Sequence, residues 1–201
     1  VMVWIGRVGG RLNDLHMLLR SLGYIPAWLY AVLVVFVWSR GHADGARLRF
    51  AGLALAFHTA VAGILAAVLK VLIRRPDMPQ ELRAWDVVDD RGATLAHYPG
   101  WQWQPWGDEP WQAADLCCPS EHAAVAWGAM LAIARLRPSV APLVLLLALG
   151  TAICRVRARG HYPTDTLGSL FTALAAAWLF DRLARRWRRP ATRSGDRPES
   201  R

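Results

Sequence analysis

"FAGLALAFHTAVAGILAAVL", residues 50 to 69, carries no formal charge from end to end. Arg49 precedes it and Lys70 closes it. At 1.5 Å per residue, a helix of this length reaches about 30 Å, the thickness of a bilayer's hydrocarbon core. This segment alone meets the length requirement for a membrane span, and it sets the reading of its neighbours.

Four more apolar runs surround it. They are "YIPAWLYAVLVVFVW" (24–38), "HAAVAWGAMLAIA" (from His122), "APLVLLLALGTAIC" (141–154) and "TLGSLFTALAAAWLF" (166–180). The shorter ones make sense as bundle helices whose ends carry polar working residues. Residues 3 to 19 read as an amphipathic interfacial helix or a weak extra span, because Arg7, Arg11 and Asp14 interrupt Val, Ile and Leu. The expected fold is all-α: a polytopic transmembrane helical bundle of five or six spans. Residues 1–22 form the interfacial helix. Residues 23–181 form the membrane domain, with a core at 50–180 and a Trp-rich loop at 77–118. Residues 182–201 are a basic tail that reads as disordered.

The bulk numbers agree. The 201 residues suffice for one domain, 54% of them are hydrophobic, and the formal net charge is +9. A pI near 10.6 could suggest nucleic-acid binding. Here, however, the arginines flank apolar segments instead of coating a polar face, so the partner implied is a membrane and no nucleic acid. The oligomeric state is not legible. Cys117, Cys118 and Cys154 form neither a disulfide framework nor a zinc pattern. Trp101, Trp103, Trp106 and Trp111 in the long loop read as an interfacial aromatic belt, with a lid over a site as the other reading.

Alternating the spans sorts the connectors to two sides. The 39–49 link, the 135–140 link and the Arg-rich tail share one side, which the positive-inside rule assigns to the cytoplasm. The 70–121 loop and the 155–165 link lie on the other. That places a multi-pass protein in a bacterial inner (plasma) membrane, with these clusters facing the periplasm or exterior.

Three polar clusters fall at the outward ends of the last four spans: "LKVLIRRPDMP" (69–79), "CPSEH" (118–122) and "CRVRARGHYPTD" (154–165). Arg155 and Arg75 are planar forks matched to phosphate oxygens, and Lys70 is a mobile point charge for the same anion. Ser120 stands where a helix N-cap belongs, so the N–H groups of Glu121 and His122 would point at an anion. His161 and Asp165 are four residues apart, which on a helix puts both on one face. A carboxylate on one ring nitrogen would leave the other free to attack. His122, on a different helix, could protonate a leaving oxygen. No second carboxylate cluster suggests a metal, and no cofactor is called for.

These motifs resemble those of the type 2 phosphatidic acid phosphatase superfamily over residues 50 to 180. "CPSEH" is similar to that family's Ser-His motif, and Arg155, His161 and Asp165 stand at the spacing of its Arg-His-Asp motif. The resemblance implies a phosphohistidine at His161, oriented by Asp165, with His122 as acid and Lys70, Ser120 and Arg155 holding phosphate without metal. Three departures stand out. Cys154 replaces a Ser. Glu121 replaces a Gly within the phosphate-binding motif, so its side chain should point away from phosphate or join the general-acid network. In the first motif, the family's Lys, six residues, Arg-Pro would put Arg at Asp77; the Arg-Pro here is Arg75-Pro76, leaving Arg75 or Arg74 for the role. The expected function is an integral membrane phosphatase acting on a lipid phosphate or diphosphate, with a polyprenyl diphosphate as first-choice substrate. A lipid-linked phosphotransferase and a catalytically impaired anion-binding membrane protein are the alternatives.

Overall fold

The structure is a computed structural model that describes residues 11–76, 116–158 and 160–187. Residues 1–10, 188–201 and all but the last few of the expected Trp-rich loop lie outside the described residues. Six helices follow in order: α1 (Arg11–Ser21), α2 (Ile25–Ser39), α3 (Gly45–Ile73), α4 (Glu121–Leu136), α5 (Ala141–Arg157) and α6 (Pro163–Trp187). The described residues contain no strand, only an isolated bridge between Pro76 and Leu116.

Proline marks several helix starts, where its missing N–H has no intrahelical partner to lose. Pro26 lies in the first turn of α2, Pro142 in that of α5, and Pro163 opens α6. α3 ends differently. Arg74 takes a left-handed φ of 48°, and its N–H returns to the Lys70 carbonyl at 3.0 Å. That geometry normally falls to glycine, so Arg74 is a strained arginine, buried at the edge of the polar cluster.

α4 is the centre of the bundle and packs on α3, α5 and α6. Its buried side chains are mostly small: Ala123, Ala124, Ala126, Gly128, Ala129 and Ala132. Small residues let backbones approach where lipid removes the hydrophobic drive between helices. At Gly128 the approach is closest: a Cβ there would sit 2.6 Å from the His58 carbonyl oxygen of α3. Gly128→Ala should therefore cost about 1–3 kcal/mol through overpacking, read as a lowered unfolding midpoint in detergent; an unchanged midpoint would contradict this contact. Large apolar side chains point the other way. Ile64 and Val68 on α3, Leu146 and Ile153 on α5, and Phe171 and Leu174 on α6 are all exposed, as for a lipid-facing surface.

The protein is thus an all-helical membrane bundle. By length and composition three segments can cross a bilayer: Gly45–Ile73, Pro138–Arg157 and Pro163–Arg186. A fourth is added if α1 and α2, which meet at 68°, count as one broken span. The expected five or six are reached only if short α2 and α4 cross inside the bundle, since 15 and 16 residues reach only about 22–24 Å. α6 runs on through Arg182, Arg185 and Arg186, so the start of the expected tail is helical. α1 packs against α5: Leu19 is buried on Gly150, and the Thr151 hydroxyl donates to the Leu19 carbonyl at 2.9 Å.

Candidate active site

Four helix ends gather at one end of the bundle: the C-termini of α3 and α5 and the N-termini of α4 and α6. All nine residues singled out from sequence lie there: Lys70, Arg74, Arg75, Ser120, Glu121, His122, Arg155, His161 and Asp165.

His161 is almost fully buried, with Nδ1 2.7 Å from the Cys117 carbonyl oxygen. A carbonyl only accepts, so in the neutral ring Nδ1 carries the proton and Nε2 the lone pair. Asp165 was the expected partner. Its Oδ2 stands 3.8 Å from Nδ1, within ion-pair range but beyond hydrogen-bond range. The reason is local. α6 starts at Pro163, so His161 precedes the helix and the one-face relation of residues four apart does not apply. Asp165 instead caps α6: its Oδ2 accepts from the Tyr162 N–H at 2.8 Å, the acidic half of a capping box. Its Oδ1 accepts from Arg75 Nη1 at 2.8 Å. Arg75 also donates to the Thr164 hydroxyl and stacks 4.0 Å over the Tyr162 ring. Arg75 therefore fixes the carboxylate and the start of α6.

Ser120 is the N-cap residue of α4 and is fully buried. Its hydroxyl makes no capping bond and has no partner among the described residues. Ser169 clips the Ser120 carbonyl to α6 with bonds of 2.7 Å to Ser120 O and 2.9 Å to Asp165 O. His122 is one residue into α4. Its Nε2 is buried without a partner among the described residues, and its ring meets Tyr24 edge-on at 4.9 Å. Burial, then the cations Arg155 and Arg20 and the His161 ring, push its pKa down to about 4. It is therefore neutral at pH 7, and an anion set among those cations would raise its pKa. Arg155 closes α5 with its guanidinium against Gly160, where a Cβ would lie 3.3 Å from Nη2. Cys118, pushed up to about 11 by burial and by Asp165, stays a neutral thiol. An orphaned buried hydroxyl and imidazole nitrogen normally cost about 1–3 kcal/mol each. Both sit among lysine and arginine, which suits an anion that satisfies them. A cavity of about 310 Å³ at the opposite end, walled by His58, Arg135, Phe180 and Asp181, contains none of these residues.

A family model described as the PAP2 superfamily matches residues 51–189, more than half of the chain. The chain belongs to the PAP2 superfamily. No curated protein and no solved structure matches it. PAP2 membership makes phosphate-ester hydrolysis its reaction class. The match covers α3 to α6 and leaves α1 and α2 outside.

Two features of this PAP2 chain were not legible beforehand. The Nδ1 partner is a backbone carbonyl, so no side chain at Cys117 could announce it. Gly23 and Tyr24, in the α1–α2 corner, press on His122: a Cβ at Gly23 would lie 2.7 Å from His122 Cβ. Only the lone Gly before an apolar run hinted at a close approach. Glu121 binds Lys70, with Oε1 2.7 Å from Nζ. A carboxylate thus holds the first-motif lysine.

Proposed function

We propose that the protein is a membrane lipid phosphatase that removes a terminal phosphate through a phosphohistidine on His161. The observation that carries this reading is the His161–Cys117 bond, which occupies Nδ1 and leaves Nε2 as the ring's lone-pair nitrogen, with no hydrogen bond among the described residues. Nε2 attacks phosphorus, the bond to the leaving oxygen breaks, and His122, which takes up a proton from water when the bound phosphate offsets Arg155 and Arg20, supplies that oxygen's proton. Water then cleaves the N–P bond. Phosphoryl transfer asks mainly for placed positive charge and donors. Lys70, Arg155, Ser120 and the first N–H groups of α4 supply them. Arg75 positions Asp165, which leaves Arg74 as the first-motif arginine for phosphate. Asp165, 3.8 Å from Nδ1, stabilises the imidazolium formed when Nε2 carries phosphate. Leu72 and Leu167, exposed at the site ends of α3 and α6, give an apolar surface along which a lipid tail can lie. A polyprenyl diphosphate at the periplasmic or outer face is the first-choice substrate.

The test is phosphate release by the detergent-purified protein from lipid diphosphates, lipid monophosphates and a soluble phosphate ester. Faster release from the lipids supports the reading. Labelled phosphate moving to a second lipid would mean a phosphotransferase, and binding without turnover an anion-binding protein.

Glu121 makes a sharper expectation. Substrate phosphate must displace its carboxylate from Lys70. Partly exposed pairs contribute about 1 kcal/mol or less, so Glu121→Gly should lower KM up to about five-fold with kcat little changed. A raised KM would show that Glu121 assists binding.

A further inference from the structure

Lys70 is paired with Glu121 and Arg75 with Asp165. A further cation, Arg20, comes from outside the family-matched region, near the end of α1. Its Nε is buried without a hydrogen-bond partner, and it forms no ion pair among the described residues. Its guanidinium carbon lies 5.9 Å from the centre of the Tyr24 ring, the ring that meets His122 at 4.9 Å. The segment carrying it is fixed on both sides. Leu19 is buried on α5 and its carbonyl held by Thr151; Gly23 is in contact with the His122 backbone. Arg20 is therefore a partly buried cation that packing holds over the Tyr24 ring, which in turn touches His122.

We infer that Arg20 is a specificity-determining residue that binds the second phosphate of a diphosphate substrate. The inference rests on the proposed roles of His161 and His122. If His161 attacks the terminal phosphorus, the bridging P–O bond breaks, the N–P bond forms, and the leaving group departs beside His122. In a diphosphate that leaving group is itself a phosphate, whose charge needs a cation at that place. In a monophosphate it is an alcohol, which needs none. Lys70 and Arg75 have acidic partners, and Arg20 packs on the Tyr24 ring that meets the acid serving the leaving group. It would thus separate lipid diphosphates from lipid monophosphates without changing the attack on phosphorus.

The test uses the full chain in detergent, wild type and Arg20→Gln, with two non-hydrolysable probes: methylenediphosphonate and methylphosphonate. Wild type should bind the diphosphonate about 10-fold or more tightly than the monophosphonate, as one added charge-assisted contact gives. Arg20→Gln should lose that preference and keep its affinity for methylphosphonate; Arg20→Lys should keep part of it. Turnover should follow, with kcat/KM falling about 10-fold or more on a lipid diphosphate and less than two-fold on the monophosphate of the same lipid. A variant that retains the preference, or weakens both probes equally, overturns the inference. Loss of the preference in a protein that hydrolyses neither lipid would overturn the phosphatase reading and leave Arg20 standing as the second-phosphate ligand.

Discussion

His161→Ala should reduce phosphate release by at least about 10⁴-fold, the scale on which removal of a covalent nucleophile acts. The fold should survive. Among the described residues the side chain hydrogen-bonds only Cys117 O, a bond worth about 1 kcal/mol, so the unfolding midpoint should move by only a few degrees. Binding of a phosphate analogue should persist, because Lys70, Arg155 and Ser120 remain. A variant that binds, folds and does not turn over separates the nucleophile from the cradle. If His161→Ala kept a tenth of the wild-type rate, another group would be making the attack.

Asp165→Asn should give the second large effect, split differently. The ring tautomer is already set by Cys117, so the amide does not scramble it. What is lost is a negative charge 3.8 Å from Nδ1 when the ring becomes cationic. At an effective dielectric near 20 that interaction is about 4 kcal/mol, so kcat should fall by about 10³-fold with KM nearly unchanged. The substitution also leaves Arg75 with a weakened partner, and breaking a buried pair destabilises by about 3–5 kcal/mol. Arg75→Ala should lower kcat through the same carboxylate, and the double variant should be less impaired than the two single losses summed. Lys70→Ala should raise KM instead. If Arg75→Ala raised KM and left kcat intact, Arg75 would be a phosphate ligand and not the holder of Asp165.

Much of this was legible in the chain because the signals are local or periodic. An uncharged 20-residue run can only be a long helix in lipid or a buried core, and its repetition points to a bundle. The polar clusters at the ends of those runs marked the end of the bundle where the nine residues do meet. Span count was harder. α4 is an alanine-rich helix of 16 residues whose depth depends on its neighbours, not on its own hydropathy. Fine geometry was hardest. The spacing of His161 and Asp165 suggested a shared helix face, but Pro163 starts the helix after His161 and hands Nδ1 to a carbonyl across the site. Glu121 could be seen to be a misfit in sequence, but not that Lys70 would take its charge. Arg20 lay in a segment that read as interfacial, and only the close approach of Gly23 to His122 brings it to the site.

The most direct test is to mix the protein with a substrate labelled in the terminal phosphate, quench within the first turnover, and map the label. Phosphate should appear on the peptide containing His161, stable in base and released by acid, and be absent from His161→Ala. Rapid turnover with no label on protein, or label on any other side chain, would contradict it.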